Sequence, residues 1–262
     1  MLKDFTREKY DIIIQAGQSN AEGNGMGEVE NPWKPNEDVW YMNGALEGTE
    51  FIISPAVETV RKNEVVSNFN LRFAERYLEA GLLKKGRKLL ILCTAVGGTG
   101  FIDGQWKMKD IYYLRMMEMI RTSLALNKEN RLVALLWHQG ESDSLFKASY
   151  DVHYAHLTAL LNSVRNEFNV PELPFVAGDF VYDWKGKNIE VCIPVVDAIR
   201  GVCRDCGHGF FVESDGLTSN MQQLGRLTPC LDNMIEDDIH FSRKALYELG
   251  DRYFEGFLAA KK

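Results

Sequence analysis

Four short polar segments each sit beside an apolar run and carry the residue types of acyl-transfer chemistry. They are Gly17-Gln18-Ser19-Asn20, Gly97-Gly98-Thr99-Gly100, His138-Gln139-Gly140-Glu141-Ser142-Asp143 and Asp237-Asp238-Ile239-His240-Phe241-Ser242. A serine hydroxyl is a weak nucleophile and needs a base within hydrogen-bond reach. His240 is the candidate base. Asp237, three residues earlier, can fold back onto the other ring nitrogen and hold the tautomer. The three-residue offset selects Asp237 over its neighbour Asp238. The attacked carbonyl becomes an oxyanion that needs preorganised donors. The backbone N–H groups of Ser19 and Gly98 and the side-chain amide of Gln139 are the candidates.

Those segments need a frame. Tyr10–Ala16, Lys88–Val96, Arg131–His138, Leu173–Phe180 and Gly209–Glu213 are mostly continuous apolar runs, the pattern of parallel strands covered on both faces. Between them lie helical patterns. Leu157, Leu160, Leu161, Val164 and Phe168 share one helix face, as do Leu246, Leu249, Tyr253 and Phe257. Phe69–Ala80, Ile111–Leu126 and Ile193–Cys206 are further helices. The alternation reads as one parallel-sheet α/β domain spanning residues 1–262, with helices on both faces. Ligands bind beyond the C-terminal ends of such strands, where three of the four polar segments begin. Residues 20–66 are rich in Gly, Asn, Pro and Trp without a sustained period. They are expected to form an irregular wall or lid beside the site.

GQSN, AVGGTG, WHQGESD and DDIHFS resemble the four blocks of SGNH hydrolases. More narrowly, they resemble the sialate O-acetylesterase and acetylxylan esterase-like carbohydrate esterases. The blocks are spread over residues 11–242, and WHQGESD is the most specific of them. The resemblance implies a three-layer α/β/α, flavodoxin-like fold, here with about five parallel strands. It implies Ser19 as nucleophile, Asp237 and His240 as its partners, and Ser19, Gly98 and Gln139 around the oxyanion. Gln139 stands where the wider superfamily has Asn. Gln18 and Glu141 are expected to brace the loops carrying Ser19 and Gln139. The implied activity is removal of acetyl groups from sugars through an acyl-enzyme, with no metal or organic cofactor.

Other readings fail on spacing. An α/β-hydrolase elbow needs several strands before its serine, and only 18 residues precede Ser19. Gly23-Asn24-Gly25-Met26-Gly27 has the wrong spacing for a dinucleotide loop. Cys203-x-x-Cys206 has no second pair for zinc, and His138, Glu141 and Asp143 lack a further His or Cys at ligand spacing. A lipase-like or thioesterase activity would want an apolar channel, whereas residues 20–50 carry Asn24, Asn31, Asn36 and Asn43. A catalytically silent sugar-binding protein would be expected to have lost a member of the Ser/His/Asp set. Trp33, Trp40, Trp106 and Trp184 lie in expected loops, where one or two can stack on a sugar.

The net charge is −7, and the basic residues are scattered, which argues against nucleic acid as partner. No run approaches the roughly 20 apolar residues of a membrane span. The N-terminus has no leader-like apolar core, and the cysteines number five. Reduced thiols and a cytoplasmic setting are therefore expected. The expected partner is an acetylated mono- or oligosaccharide. An anionic sugar would need a nearby Arg or Lys, which the motifs do not supply.

Overall fold

The run YDIIIQAG is buried at every position, as a central parallel strand covered on both faces must be. In the computed structural model, which describes residues 4–61, 63–230 and 233–262, this is β1 (Tyr10–Gly17). It is followed by α1 (Ser19–Glu22), β2 (Val39–Asn43), β3 (Ile52–Pro55), the hairpin β4 (Thr59–Arg61) and β5 (Glu64–Val66), and α2 (Phe69–Glu79). Next come β6 (Lys88–Cys93), α3 (Ile111–Ala125), β7 (Arg131–His138), α4 (Glu141–Leu145), α5 (Tyr150–Glu167) and β8 (Phe175–Gly178). The chain continues through α6 (Tyr182–Lys187), α7 (Ile189–Asp205), β9 (Gly209–Val212), α8 (Asn220–Leu224), the hairpin β10 (Thr228–Cys230) and β11 (Asn233–Ile235), and α9 (Arg243–Ala260).

The main sheet runs β3-β2-β6-β1-β7-β8-β9. Every pairing is parallel except β2 with β3. The five expected strands form its flavodoxin-like core, β6-β1-β7-β8-β9. The sheet has seven strands rather than five, because β2 and β3 come from the segment expected to be irregular. β2 is short and flanked by turn residues, and its pairing partner β6 lies far along the chain. Local pattern therefore does not mark it. The antiparallel β3, mostly exposed, closes that edge.

Helices cover both faces. α9 packs on α2, β8 and β9, and α7 packs on α5, β8 and β9. Gly256 of α9 lets that helix approach Val176, while Gly209 of β9 lies against Cys203 and Cys206 at the end of α7. Among the described residues no helix is long and apolar enough to cross a membrane.

The chain leaves β1 toward β6 on one side and later crosses to β7 on the other. The C-terminal end of β1 is thus the topological switch point, where such sheets open a crevice. At the opposite end, Asp11 is fully buried. It accepts hydrogen bonds from Tyr77 Oη (2.9 Å), Arg87 Nε (2.6 Å) and Arg131 Nε (2.7 Å). Burial alone would raise this carboxyl. The two guanidinium groups and the phenol outweigh burial and hold it below its ordinary value. A depressed native pKa stabilises the fold above the unfolded value of about 3.9, and that stability is lost as pH falls through the native value. Asp11→Asn should cost on the order of 2–4 kcal/mol at pH 7. It should also narrow the stability gap between pH 7 and pH 3 in urea titrations. An unchanged gap would assign acid sensitivity to other groups.

Candidate active site

β1 ends in the turn that carries Ser19, and the turn is pinned to β7, where Gln18 N donates to His138 O at 2.9 Å. Ser19 is the first residue of α1, so its N–H is one of the helix's donors without an intrahelical acceptor. The serine retains 8% of its surface, enough to reach a ligand. Its Oγ donates to His240 Nε2 at 2.9 Å, and His240 Nδ1 donates to Asp237 Oδ1 at 2.8 Å. The Nδ1 bond leaves Nε2 as the acceptor, which is the tautomer a general base needs.

Asp237 is held from three further directions. The His240 backbone N–H donates to Oδ1 at 3.2 Å, and Asn220 Nδ2 and Thr228 Oγ1 donate to Oδ2 at 2.8 and 3.4 Å. Burial pushes its pKa up, but the hydrogen bonds from His240 and Asn220 and the pull of the imidazole push harder, so it stays below the carboxylate range. Asp238 instead pairs with Lys187 on the surface. The three-residue offset thus brings Asp237, and not its neighbour, to His240.

The second block passes close to the serine. A Cβ added at Gly97 would lie 3.5 Å from Ser19 Cβ and 3.0 Å from Glu22 Oε2. Gly97 N donates to that oxygen at 2.9 Å. Gly98 follows at φ +71° with open space where a side chain would be, so a ligand can approach its backbone. Trp106 Nε1 donates to Thr99 Oγ1 at 2.7 Å and holds the rest of this loop.

Gln139 is not presented as a donor to a ligand. It is fully buried, and its amide nitrogen lies 3.3 Å from Gln18 Oε1, 3.3 Å from Thr99 O and 3.1 Å from Asp143 Oδ2. These three oxygens take both of its hydrogens. The side chain therefore ties the second block to the third instead of offering the third oxyanion donor. Gln18 Oε1 also accepts from Ser142 N at 3.1 Å at the start of α4. Asp143 anchors the same junction, with Ile102 N donating at 2.9 Å and His153 Nδ1 at 3.0 Å.

Glu141 also takes up a bracing position. Asn20 Nδ2 donates to Glu141 Oε1 at 2.6 Å and to Ile239 O at 3.0 Å, and Phe241 N donates to Asn20 Oδ1 at 3.0 Å. Asn20 thus clasps both sides of His240, and burial raises the Glu141 carboxyl. Reading the sequence assigned no role to Asn20, although it lies in the first block. Nothing in the sequence marked Asn220, which reaches Asp237 across 17 residues. Glu22, which clasps Gly97, was missed as well.

The remaining candidates are structural. His138 is fully buried, donates from Nδ1 to Tyr253 Oη at 2.9 Å, and is driven to a pKa of about 3 by burial. Cys203 and Cys206 are free thiols whose pKa values are raised by burial. Trp33, Trp106 and Trp184 are buried, and Trp40 meets Phe5 edge-on at 5.6 Å on the N-terminal side of the sheet. The expected stacking of a tryptophan on sugar is therefore not offered by these rings. Trp40 lies in β2 and Trp184 in α6 rather than in loops, and the apolar surface of all four rings is packed in or against the hydrophobic core.

Beside the Glu22–Gly97 contact lies a cavity of about 320 Å³. It is walled largely by residues 41–68, so the segment expected as a wall does form one. Its lining includes Asn43, Ser54, Glu58, Arg61 and Asn68.

The chain is similar over 97% of its length, and 98% of the other's, to the crystal structure of NanS, with a TM-score of 0.76 and 18% identity. An Arabidopsis thaliana protein matches at TM-score 0.66 and 18% identity, over 95% of this chain and 98% of that one. A carbohydrate acetylesterase from Xanthomonas citri matches at TM-score 0.55 and 13% identity, over 94% of this chain and 55% of that one. At these identities the likeness is one of fold. No curated protein matches the chain. The profile described as "Carbohydrate esterase, sialic acid-specific acetylesterase" matches residues 9–259. With nearly the whole chain matched, the protein belongs to that carbohydrate esterase family and is a carboxylic ester hydrolase acting on O-acetylated carbohydrate.

Proposed function

We propose that the protein is a serine O-acetylesterase in which Ser19, His240 and Asp237 form a catalytic triad and an acetyl-enzyme is the intermediate. The unbroken hydrogen-bonded chain, 2.9 Å from Ser19 to His240 and 2.8 Å from His240 to Asp237, carries this reading. Ser19 Oγ attacks the acetyl carbonyl while its proton passes to His240 Nε2. Asp237 keeps the ring oriented and stabilises the imidazolium that forms. The oxyanion is received by the Ser19 N–H and the Gly98 N–H. His240 then returns the proton to the sugar oxygen as the C–O bond breaks, which frees the sugar. Water, deprotonated by His240, attacks the acetyl-enzyme, and His240 returns that proton to Ser19 Oγ as its bond to the acetyl carbon breaks and acetate leaves. Two backbone donors suffice for the oxyanion, and Gln139 serves by fixing the loops that carry them.

The test is acetate release from a panel of O-acetylated sugars, including O-acetylated sialic acids and acetylated xylose units. Acetate should appear with the wild type. Asp237→Asn should lower kcat by roughly 10³- to 10⁴-fold by disturbing the tautomer. Asp238→Asn, which loses only a surface ion pair, should change it less than about twofold. Equal losses in the two variants would remove Asp237 from the mechanism.

A further inference from the structure

The turn that carries Gly98 has little of its own to hold it. Val96 N donates to Gly17 O at 3.1 Å and Thr99 Oγ1 to Val96 O at 2.6 Å, so the residues on either side are fixed. Gly97 and Gly98 between them are exposed, and glycine has the widest choice of backbone conformations. Among the described residues, the one hydrogen bond these two glycines make runs from Gly97 N to Glu22 Oε2 at 2.9 Å. Where the Glu22 carboxylate lies therefore sets where the Gly98 N–H points.

Glu22 ends α1, the helix that Ser19 begins. A single helical turn is not stable alone, so tertiary contacts must place its side chains. Arg61, at the end of β4, supplies them. Its Nη2 donates to Glu22 Oε1 and its Nη1 to Asn24 Oδ1, each at 2.7 Å. The planar fork aims the carboxylate as well as pairing with it. Asn24 Nδ2 in turn donates to Ser19 O at 3.0 Å. Asn24 has a second tether, because Asn220 Nδ2 donates to its carbonyl at 2.9 Å. The serine side thus does not depend on Arg61 alone, whereas the Gly97 side depends on Glu22.

Charge matters here as well as geometry. A Cβ at Gly97 would lie 3.0 Å from Glu22 Oε2 and 3.5 Å from Ser19 Cβ, so the carboxylate stands close to the reacting serine. An unpaired negative charge at that place would oppose the oxyanion. The 2.7 Å ion pair with Arg61 compensates it.

We propose that Glu22 is a positioning residue for the Gly98 oxyanion donor and that Arg61 is its counter-ion, aiming the carboxylate at Gly97 N and cancelling its charge beside the transition state. The proposal rests on the esterase reading above, in which the Gly98 N–H receives the oxyanion, and adds to it the pair that sets this donor.

The experiment measures kcat and KM for p-nitrophenyl acetate, with thermal unfolding, in Glu22→Ala, Glu22→Gln, Arg61→Gln and the double variant Glu22→Gln/Arg61→Gln. Glu22→Ala should lower kcat by roughly 10- to 100-fold, part of what a missing oxyanion donor costs. KM should stay within about twofold, because the donor acts on the transition state. Glu22→Gln keeps an oxygen for Gly97 N and should recover most of the loss. Arg61→Gln should lower kcat by roughly 5- to 20-fold, since it leaves the carboxylate unpaired beside the oxyanion. The same change in the Glu22→Gln background should cost less than about twofold, because no charge remains to cancel. A general loosening of the wall would instead lower kcat alike in both backgrounds.

A Glu22→Ala kcat within about twofold of wild type would overturn the proposal, and so would a loss carried by KM. If Glu22→Ala does not fold, the Arg61→Gln comparison decides: equal losses in the two backgrounds overturn the proposal, and a loss confined to the background with the carboxylate supports it. Ser19→Ala, assayed alongside, separates this proposal from the esterase reading. If Ser19→Ala is inert while the Glu22 variants match wild type, only the positioning role falls. If Ser19→Ala turns over normally, the esterase reading falls and the positioning role falls with it.

Discussion

Ser19→Ala should lower kcat for acetate release by roughly 10⁴- to 10⁶-fold, leaving only what binding and the oxyanion donors contribute. The substitution removes one buried oxygen from a chain of three side chains. The His240–Asp237 pair keeps its bonds at 2.8 and 3.2 Å, so the fold should survive. Thermal unfolding is therefore expected to shift by no more than a few degrees. His240→Ala should lose a similar factor. The double variant should be hardly worse than either single one, because groups acting as a unit lose their function together. Turnover comparable to wild type in Ser19→Ala would remove the serine as nucleophile. Losses that multiply in the double variant would mean that Ser19 and His240 act in separate steps.

Gly17→Ala should do to the fold what Ser19→Ala does to the chemistry. Gly17 has φ +130°, a region closed to L side chains. A Cβ there would lie 2.1 Å from His138 O and 2.6 Å from His138 C. Both atoms belong to the backbone of β7, in the middle of the sheet, and cannot swing aside as a side chain can. Relief would require parting β1 from β7 or breaking the bond from Gln18 N to His138 O. A cost above about 4 kcal/mol is expected, against a total stability of about 5–15 kcal/mol for a domain. The melting temperature should fall by at least ~8 °C, or the protein should fail to accumulate in soluble form. Any folded fraction should show a depressed kcat, since the displaced turn carries Ser19. A melting temperature within about 3 °C of wild type, with activity retained, would show that the turn relaxes cheaply.

Much of the centre was legible in the residues alone. Ser19, Gly98, Asp237 and His240 lie in short motifs set at strand ends or just ahead of the last helix. The continuous apolar runs of β1, β6 and β7 identify a parallel sheet, because strands buried on both faces need no polar alternation. The offset between Asp237 and His240 is local, so sequence spacing determines which carboxylate meets the imidazole. Tertiary structure alone decided the rest. The direction of the Gln139 amide depends on three oxygens from three different segments. β2 is a strand because β6 lies beside it, although its own few residues carry little pattern. Asn20, Asn220 and Glu22 gain roles only once chain segments far apart in sequence are brought together. Arg61 meets Glu22 and Asn24 for the same reason. It is an ordinary hairpin residue in the sequence, and its place at the edge of a cavity follows from how residues 41–68 fold back across the end of the sheet. Chemistry carried by adjacent residues is written locally, whereas the side chains that brace it are brought together by long-range contacts.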